Sequence, residues 1–143
     1  MKRMKHRQAW SYYEGVLANA EVAEQGHVAC IDTASGEIVV SQEAATLLPI
    51  GYFDQSLTGN GTAKVRVQLF NEIWVDRLAN DTVAAVAAAD VGSVCYLLDS
   101  QTVTSDATGN SVAGRVWDVR PEGVFVQMAI SMGIQGIQGA PGV

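Results

Sequence analysis

Residues 91–128 read VGSVCYLLDSQTVTSDATGNSVAGRVWDVRPEGVFVQM and carry the clearest structural pattern in the chain. Short runs rich in Val, Tyr, Leu and Trp alternate there with clusters of Gly, Asp, Asn and Pro. This alternation is typical of consecutive antiparallel strands joined by tight turns. The stretch lacks the 3.6-residue apolar spacing that an amphipathic helix shows over ten or more residues. It therefore predicts a mainly β protein.

Two further strand patterns precede this stretch. Residues 27–32 and 37–41, separated by Thr-Ala-Ser-Gly, predict a hairpin. Residues 64–69 alternate apolar and polar side chains, which predicts a strand with one buried and one solvated face. The buried face would consist of Val65, Val67 and Leu69, and the solvated face of Lys64, Arg66 and Gln68.

Four local patterns carry more specific expectations. Residues 42–48 predict one or two helical turns ended by Pro49. The pair Asn60-Gly61 favours a positive φ angle and a tight hairpin. The alanine-rich residues 84–89 predict either a short helix, capped by Asn80 or Asp81, or a loop. Residues 73–78 predict a strand, and three large aromatic residues are expected in the core: Trp74, Trp117 and Phe125.

Charge is unevenly distributed along the 143 residues. Residues 1–13 carry four bases and no acid, whereas residues 14–143 carry five bases and fifteen acids, a net charge of −10. An acidic body argues against a nucleic-acid-binding domain, because such domains present a basic face. The chain has no apolar run near 18 residues and no signal-peptide pattern, so no membrane partner is expected. The cysteines, Cys30 and Cys95, are expected to be reduced and partly buried.

The basic N-terminal segment, residues 1–13, allows three interpretations. It is a solvated, frayed terminus, or it binds nucleic acid through its bases, or it docks on a protein partner. We favour docking because Trp, Tyr and Arg dominate interface energies, and three aromatic residues stand within four positions. The steering charges would be Lys2, Arg3, Lys5 and Arg7, and the anchors Trp10, Tyr12 and Tyr13.

The C-terminal end repeats glycine at every third position, at residues 133, 136, 139 and 142. This spacing follows the collagen rule, in which only Gly fits the crowded axis of three polyproline-II chains. The triplets Gly-Ile-Gln and Gly-Ala-Pro resemble those of phage fibre and spike proteins. They predict a trimer axis formed by Gly133, Ile134, Gly136, Ile137, Gly139, Pro141 and Gly142. Three triplets are too few to hold a triple helix, so either the β-domain supplies the trimer or the natural chain continues. A flexible Gly-rich tail is the alternative.

These patterns together predict a compact antiparallel β-sandwich or barrel-like domain with at most one short helix. The domain would span residues 14–130, between an extended arm (1–13) and a collagen-like stub (131–143). Its two histidines, His6 and His27, have no metal-ligand neighbours in sequence, and His27 is expected to be a partly buried strand residue. Asp99, Asp106 and Asp118 are interpreted as turn carboxylates rather than a calcium site. No catalytic motif is present, so we expect no enzyme activity, no metal and no cofactor.

The order of strands and turns in residues 91–128 resembles the C-terminal half of tailed-phage capsid decoration proteins, also called head cement proteins. The resemblance lies in the Val-Gly-x-x-Cys-Tyr-Leu strand, the Ala-Thr-Gly-Asn turn, the Val-Ala-Gly-Arg-Val strand and the closing Val-Phe-Val strand. It implies a homotrimer on the capsid exterior, made in the host cytoplasm. Its partner would be the major capsid protein, bound through the arm, and it would stabilise the shell or anchor a head fibre. The stub would point away from the shell.

The alternative is a tail-fibre or receptor-binding module of a phage, in which the β-domain is an adhesin and the triplets form a shaft. The order along the chain favours the head position. Basic, attachment-type residues at the N-terminus and a shaft at the C-terminus would place the β-domain nearest the particle.

Overall fold

The computed structural model describes residues 12–70 and 75–128, and these residues form a mainly β protein, as predicted. Their helical structure is one 3-10 turn, Ala88–Asp90, and no helix among them is long and apolar enough to cross a membrane. The strands are β1 (Tyr12–Val16), β2 (Val22–Ala23), β3 (Val28–Asp32), β4 (Ile38–Val40), β5 (Leu47–Phe53), β6 (Leu57–Thr58), β7 (Lys64–Leu69), β8 (Val75–Asn80), β9 (Val94–Leu97), β10 (Thr102–Thr104), β11 (Val112–Arg120) and β12 (Gly123–Gln127).

The first unit, residues 12–70, is an antiparallel sheet with the strand order β1-β7-β5-β3-β4. The sheet curls until its two edges meet. Leu17, just after β1, forms a bridge with Ile38 of β4, and the Ala18 N–H donates to the Ile38 carbonyl at 2.9 Å. The curled sheet encloses a core that includes Leu17, Ile38, Ile50, Phe53, Val65 and Val67. The two-stranded ribbon β2–β6 packs against this core through Ala23 and Leu57.

The second unit, residues 75–128, is a closed five-stranded barrel with the order β10-β8-β12-β11-β9. Antiparallel pairing of consecutive strands is confirmed for β9 with β10 and for β11 with β12. It is wrong for β10 and β11, because β11 pairs with β9 instead. Closure depends on one parallel pair that the sequence pattern did not indicate, in which Val103 of β10 pairs with Asn80 of β8. The barrel interior includes Leu97, Val103, Val124 and Val126, each at most 1% exposed.

A shared hydrophobic cluster joins the two units. The first unit contributes Val28, Cys30 and Leu47, which pack together with the interior residues of the barrel. Residues of β3 alternate between the two cores, because Val28 and Cys30 face the barrel while Ala29 faces the interior of the first sheet. The buried Ser111 hydroxyl also links the units, since it accepts the Leu47 N–H at 2.9 Å and donates to the Ala44 carbonyl at 2.5 Å.

The outcome for the first strand patterns is mixed. The hairpin of β3 and β4 is confirmed, and so is the buried face of β7, where Val65 and Val67 are fully buried. The helical turns at residues 42–48 are wrong, because the chain enters β5 at Leu47. Pro49 is tolerated inside β5 because the pairing with β3 shifts there, and because the pairing with β7 begins only at Gly51.

The hairpin expected at Asn60-Gly61 is wrong, whereas the loop alternative for residues 84–89 is confirmed. Gly61 has the expected positive φ, 89°, but the turn is no hairpin, since β6 and β7 belong to different sheets. The alanine-rich residues form a loop that ends in the 3-10 turn. The Asn80 and Asp81 side chains do bind backbone groups of this loop, at Val86 and at residues 83 and 84. Trp74 lies outside the described residues.

Candidate functional site

The described chain begins and ends at the same end of the molecule. Tyr12 of β1 pairs with Gln68 of β7, and Gln68 pairs on its other side with Tyr52 of β5. Because neighbouring strands are about 4.8 Å apart, the Cα atoms of Tyr12 and Tyr52 are separated by roughly 10 Å. The Tyr52 hydroxyl lies 3.6 Å from the sulfur of Met128. We call the surface formed by Tyr12, Gln68 and Tyr52, beneath which the buried Met128 lies, the terminal face.

The structure describes two of the seven residues predicted to bind a partner, and it places them differently. Tyr12 is 47% exposed, and the Arg66 guanidinium lies 5.5 Å from the centre of its ring. Tyr13 packs against the core of the first sheet. Both residues belong to β1, so the strand begins before the expected boundary at residue 14. Outside the described residues lie Lys2, Arg3, Lys5, Arg7 and Trp10, and also the trimer-axis residues Gly133, Ile134, Gly136, Ile137, Gly139, Pro141 and Gly142.

Tyr52 connects the two units at the terminal face. Its hydroxyl lies 2.8 Å from Oδ2 of Asp76, and its ring meets the Phe70 ring edge to face, with 5.2 Å between centroids. Burial raises the pKa of Tyr52 above its usual range, and the neighbouring Asp76 carboxylate raises it further. The phenol therefore stays neutral and donates a hydrogen bond to the Asp76 carboxylate. This bond fixes the start of β8 against the first sheet.

A polar cavity of about 510 Å³ opens between the two units beside the terminal face. We call it the interbarrel groove. The first unit contributes Gly26 and Tyr52 to its lining, and the second contributes residues of β8, Gln101 and the β11–β12 turn. Its charged residues are the acids Asp76 and Glu122 and the base Arg77. The groove therefore offers carboxylates and an amide, which suit a cationic, hydrogen-bonding ligand.

The second exposed feature is Trp117, whose predicted core position is wrong. Trp117 is 60% exposed, and the nearby Val91 is 48% exposed. The Gly92 N–H donates to the Val116 carbonyl, which brings the residues before β9 alongside Trp117. Strand alternation was the signal that could have found it, because a Trp two residues after the exposed Arg115 shares its outward face. We call Val91, Arg115 and Trp117 the Trp117 surface.

Phe125, also predicted in the core, is only half-buried. The Arg120 guanidinium lies over its ring at 5.1 Å from the centroid. The pairing of β11 with β12 shifts between Val116 and Asp118, so Asp118 rather than Trp117 pairs with Phe125. Side chains alternate along β12, so Phe125 lies on the face opposite to its neighbours Val124 and Val126, which fill the barrel interior.

The two cysteines and His27 are wholly or partly buried. Both cysteines are free, as expected, but they are fully rather than partly buried. Burial raises the pKa of Cys30 above its usual range and that of Cys95 to about 12. Neutral, buried thiols are poor nucleophiles. His27 is half-buried, as expected, with its Nε2 3.4 Å from a Glu24 oxygen.

Asp99 and Asp106 are turn carboxylates, as expected, but Asp118 lies within strand β11. Asp99 and Asp106 each accept the N–H two residues ahead, and Asp118 pairs with Arg120 at 2.7 Å. Within residues 12–70 and 75–128, no group of three His, Cys, Asp or Glu side chains is arranged to hold a metal ion.

No protein-family model, curated protein or solved structure matches this chain. Function must therefore be argued from the surfaces themselves. The terminal face and the Trp117 surface both expose aromatic side chains beside an arginine, a combination typical of binding surfaces. The interbarrel groove adds a polar cavity beside the point where the basic arm joins the fold.

Proposed function

We propose that this protein is a structural component of a tailed-phage virion that binds the capsid exterior as a homotrimer and stabilises the shell or anchors a head fibre. The observation that carries the proposal is the terminal face. The basic arm precedes Tyr12 and the Gly-x-y segment follows Met128, and these two residues lie at one end of the molecule. A trimer joined through the Gly-x-y segments would gather three basic arms at that end, and three weak attachments give avidity.

The same geometry constrains how such a trimer would meet the shell. The stub and the arm both join the domain at the terminal face. In the proposed orientation, however, the stub points away from the shell while the arm has to reach it. Eleven extended residues span at most about 40 Å, enough to return along the side of the domain. The proposed orientation therefore requires each arm to turn back along the domain from Tyr12.

Capsid binding is tested by co-sedimentation with undecorated capsids at low and moderate salt. Lys5→Gln and Lys64→Gln form a matched pair, because both remove one lysine, the first from the arm and the second from the exposed face of β7. An exposed ion pair contributes about 0.5 kcal/mol, so losing one in each of three copies should weaken binding about tenfold. Lys64→Gln should leave binding unchanged. If a variant with all four arm bases replaced by Gln binds capsids as tightly as the unchanged protein, the arm does not attach the protein to the capsid.

Trimer formation is tested by light scattering on the full chain and on a chain that ends at Ser131. A trimer in both would mean that the β-domain trimerises by itself and the triplets continue its axis. A trimer that becomes a monomer on shortening would make the triplets the assembly element. A monomer in both would contradict a trimer in free solution and confine trimerisation to the capsid surface.

The second candidate function, a receptor-binding module, is favoured by one observation, the exposed Trp117. A large exposed aromatic side chain beside Val91 is typical of a recognition surface. Binding of the full chain to a glycan array that is lost with Trp117→Ala and kept with Tyr12→Ala would establish an adhesin. Absence of glycan binding together with capsid co-sedimentation would favour the head position.

A further inference from the structure

We propose that in the free protein the basic arm, residues 1–11, binds in the interbarrel groove of its own chain. This contact goes beyond capsid attachment and does not depend on it, because it concerns the protein before any partner is present. It would give the arm a defined path along the domain. It would also mean that a capsid must compete with the groove for the arm.

The position of Tyr12 makes the groove accessible to the arm. Tyr12 and Tyr52 flank Gln68 from opposite sides, so the arm joins the fold about 10 Å from a residue that lines the groove. The groove extends from Tyr52 along β8 to Ala79, three residues beyond Asp76, which corresponds to about 10 Å of strand. An arm of eleven residues, with an extended length of up to about 40 Å, covers this distance with length to spare.

Charge favours the same placement. The arm carries Lys2, Arg3, Lys5 and Arg7 with no acid, and the rest of the chain has a net charge of −10. The groove presents the carboxylates of Asp76 and Glu122 against the single base Arg77 among its lining residues. Lysine and arginine side chains form charge-assisted hydrogen bonds with such carboxylates, which are about twice as strong as neutral ones.

Tethering adds to this attraction. Because the arm belongs to the same chain as the groove, its effective concentration there is in the millimolar range, so a weak intramolecular contact would be well populated. The cavity volume of about 510 Å³ lies within the range of pockets that hold a small ligand. It is therefore large enough for the side chains of part of the arm, with the remainder lying along the surface.

Limited digestion with trypsin tests the proposal in the full chain, because the arm contains four cleavage sites. Mass spectrometry measures the rate of arm cleavage for the unchanged protein, Glu122→Gln, and Asp76→Asn combined with Glu122→Gln. The matched control is Glu43→Gln, an exposed residue that does not line the groove. We expect cleavage about threefold faster for Glu122→Gln, about tenfold faster for the double variant, and unchanged for the control. Equal rates for Glu122→Gln and Glu43→Gln would overturn the proposal.

Two additional measurements keep the test decisive. Thermal unfolding identifies any variant that is destabilised, and the single variant Glu122→Gln suffices if Asp76→Asn disturbs the contact with Tyr52. Salt should accelerate arm cleavage in the unchanged protein relative to the double variant, because screening weakens the arm–groove contact only where the carboxylates are present.

Mixing identifies whose groove the arm occupies. ¹⁵N-labelled unchanged chain is unfolded and refolded with an excess of the unlabelled double variant, and cleavage of the labelled arm is measured. An unchanged rate is expected for a contact within one chain. A faster rate would assign the arm to the groove of a neighbouring copy and overturn the intrachain contact. Because no capsid is present, failure here leaves capsid binding as a separate question, which co-sedimentation decides.

Discussion

The two units of this protein each contain five main strands but close in different ways. The second unit closes by backbone pairing all round, including the parallel pair of β8 and β10. The first closes at its edges through the Leu17–Ile38 bridge and the Ala18 hydrogen bond, and the outer face of β3 is covered by the second unit. The barrel is closed by its own backbone hydrogen bonds, so part of its outer face can stay exposed, as at Trp117. The curled sheet instead packs on both faces, against its own core and against the cluster that it shares with the barrel.

Each unit contains one buried cysteine, which makes the comparison measurable. Cys30 lies in β3 and Cys95 in β9, and both are fully buried. Cys30 faces the cluster shared by the two units, so its thiol-labelling rate reports opening of β3 and of the contact between the units, whereas the rate at Cys95 reports opening of the barrel. We expect both to label only through opening, because burial holds their pKa values well above neutral pH.

The largest expected effect comes from a charge in the core of the first unit. Val67→Asp places a carboxylate with no partner among fully buried side chains and should cost about 4 kcal/mol or more. The matched control, Arg66→Asp on the outer face of the same strand, loses its contacts with Asp54 and Tyr12 and places a like charge near Asp54. At this exposed position it should cost about 1–2 kcal/mol. Thermal denaturation measures both, and similar losses for the two variants would contradict the placement of β7.

The next effect tests how closely the strands of the first unit approach. A Cβ atom at Gly51 would lie 2.0 Å from the Gln68 carbonyl oxygen, so Gly51→Ala must push β5 away from β7. We expect a cost of about 2–4 kcal/mol by chemical denaturation and faster labelling of Cys30 than of Cys95. The control Gly36→Ala meets no neighbouring atom but has a φ of 79°, and should cost about 1 kcal/mol. A smaller loss at Gly51 than at Gly36 would refute the close approach.

A third variant tests the link between the units. Ser111→Ala leaves the buried Leu47 N–H and the Ala44 carbonyl without their partner and should cost about 1–3 kcal/mol. Ser105→Ala, whose hydroxyl donates to the Ala84 carbonyl at an exposed site, should cost less than about 0.5 kcal/mol. If the Ser111 variant alone also separates the unfolding transitions of the two units, the link contributes to their cooperativity. Equal free energies of unfolding for Ser111→Ala and Ser105→Ala would show that the Ser111 hydrogen bonds contribute little to stability.

The smallest effect concerns acid stability in the second unit. The N–H of Val83 and the Thr104 hydroxyl hold the pKa of Asp81 below its ordinary value of 3.8. Because the pKa is lower in the folded state, this contribution is complete above about pH 4 and is lost as the pH falls through the folded-state value. The free energies of unfolding of the unchanged protein and of Asp81→Asn, measured with urea, should therefore differ by a constant amount near neutral pH and converge at lower pH. A difference that persists unchanged to pH 2 would contradict this.

Local sequence patterns determined a large part of the fold. Alternation identified the buried face of β7, and Gly, Asp and Asn clusters marked the turns of the second unit. These predictions succeeded because residue spacing within one strand fixes which side chains share a face. The same rule, applied to Arg115 and Trp117, would have placed the tryptophan outside. Of the surfaces described here, Tyr12 was identified from its residue type, and the interbarrel groove was not foreseen.

What only the tertiary structure decided is how distant segments meet. The parallel pairing of β8 with β10, the Leu17–Ile38 contact and the placing of Pro49 inside a strand all depend on partners far away in the chain. The groove between Tyr52, Asp76 and Glu122 and the common end for Tyr12 and Met128 arise in the same way. The sequence by itself determined several strands, among them β3, β4 and β7, and the faces of β7, because those features depend on neighbours along the chain. Closure, shared cores and surfaces depend on burial and hydrogen bonds that form only once the strands are packed together.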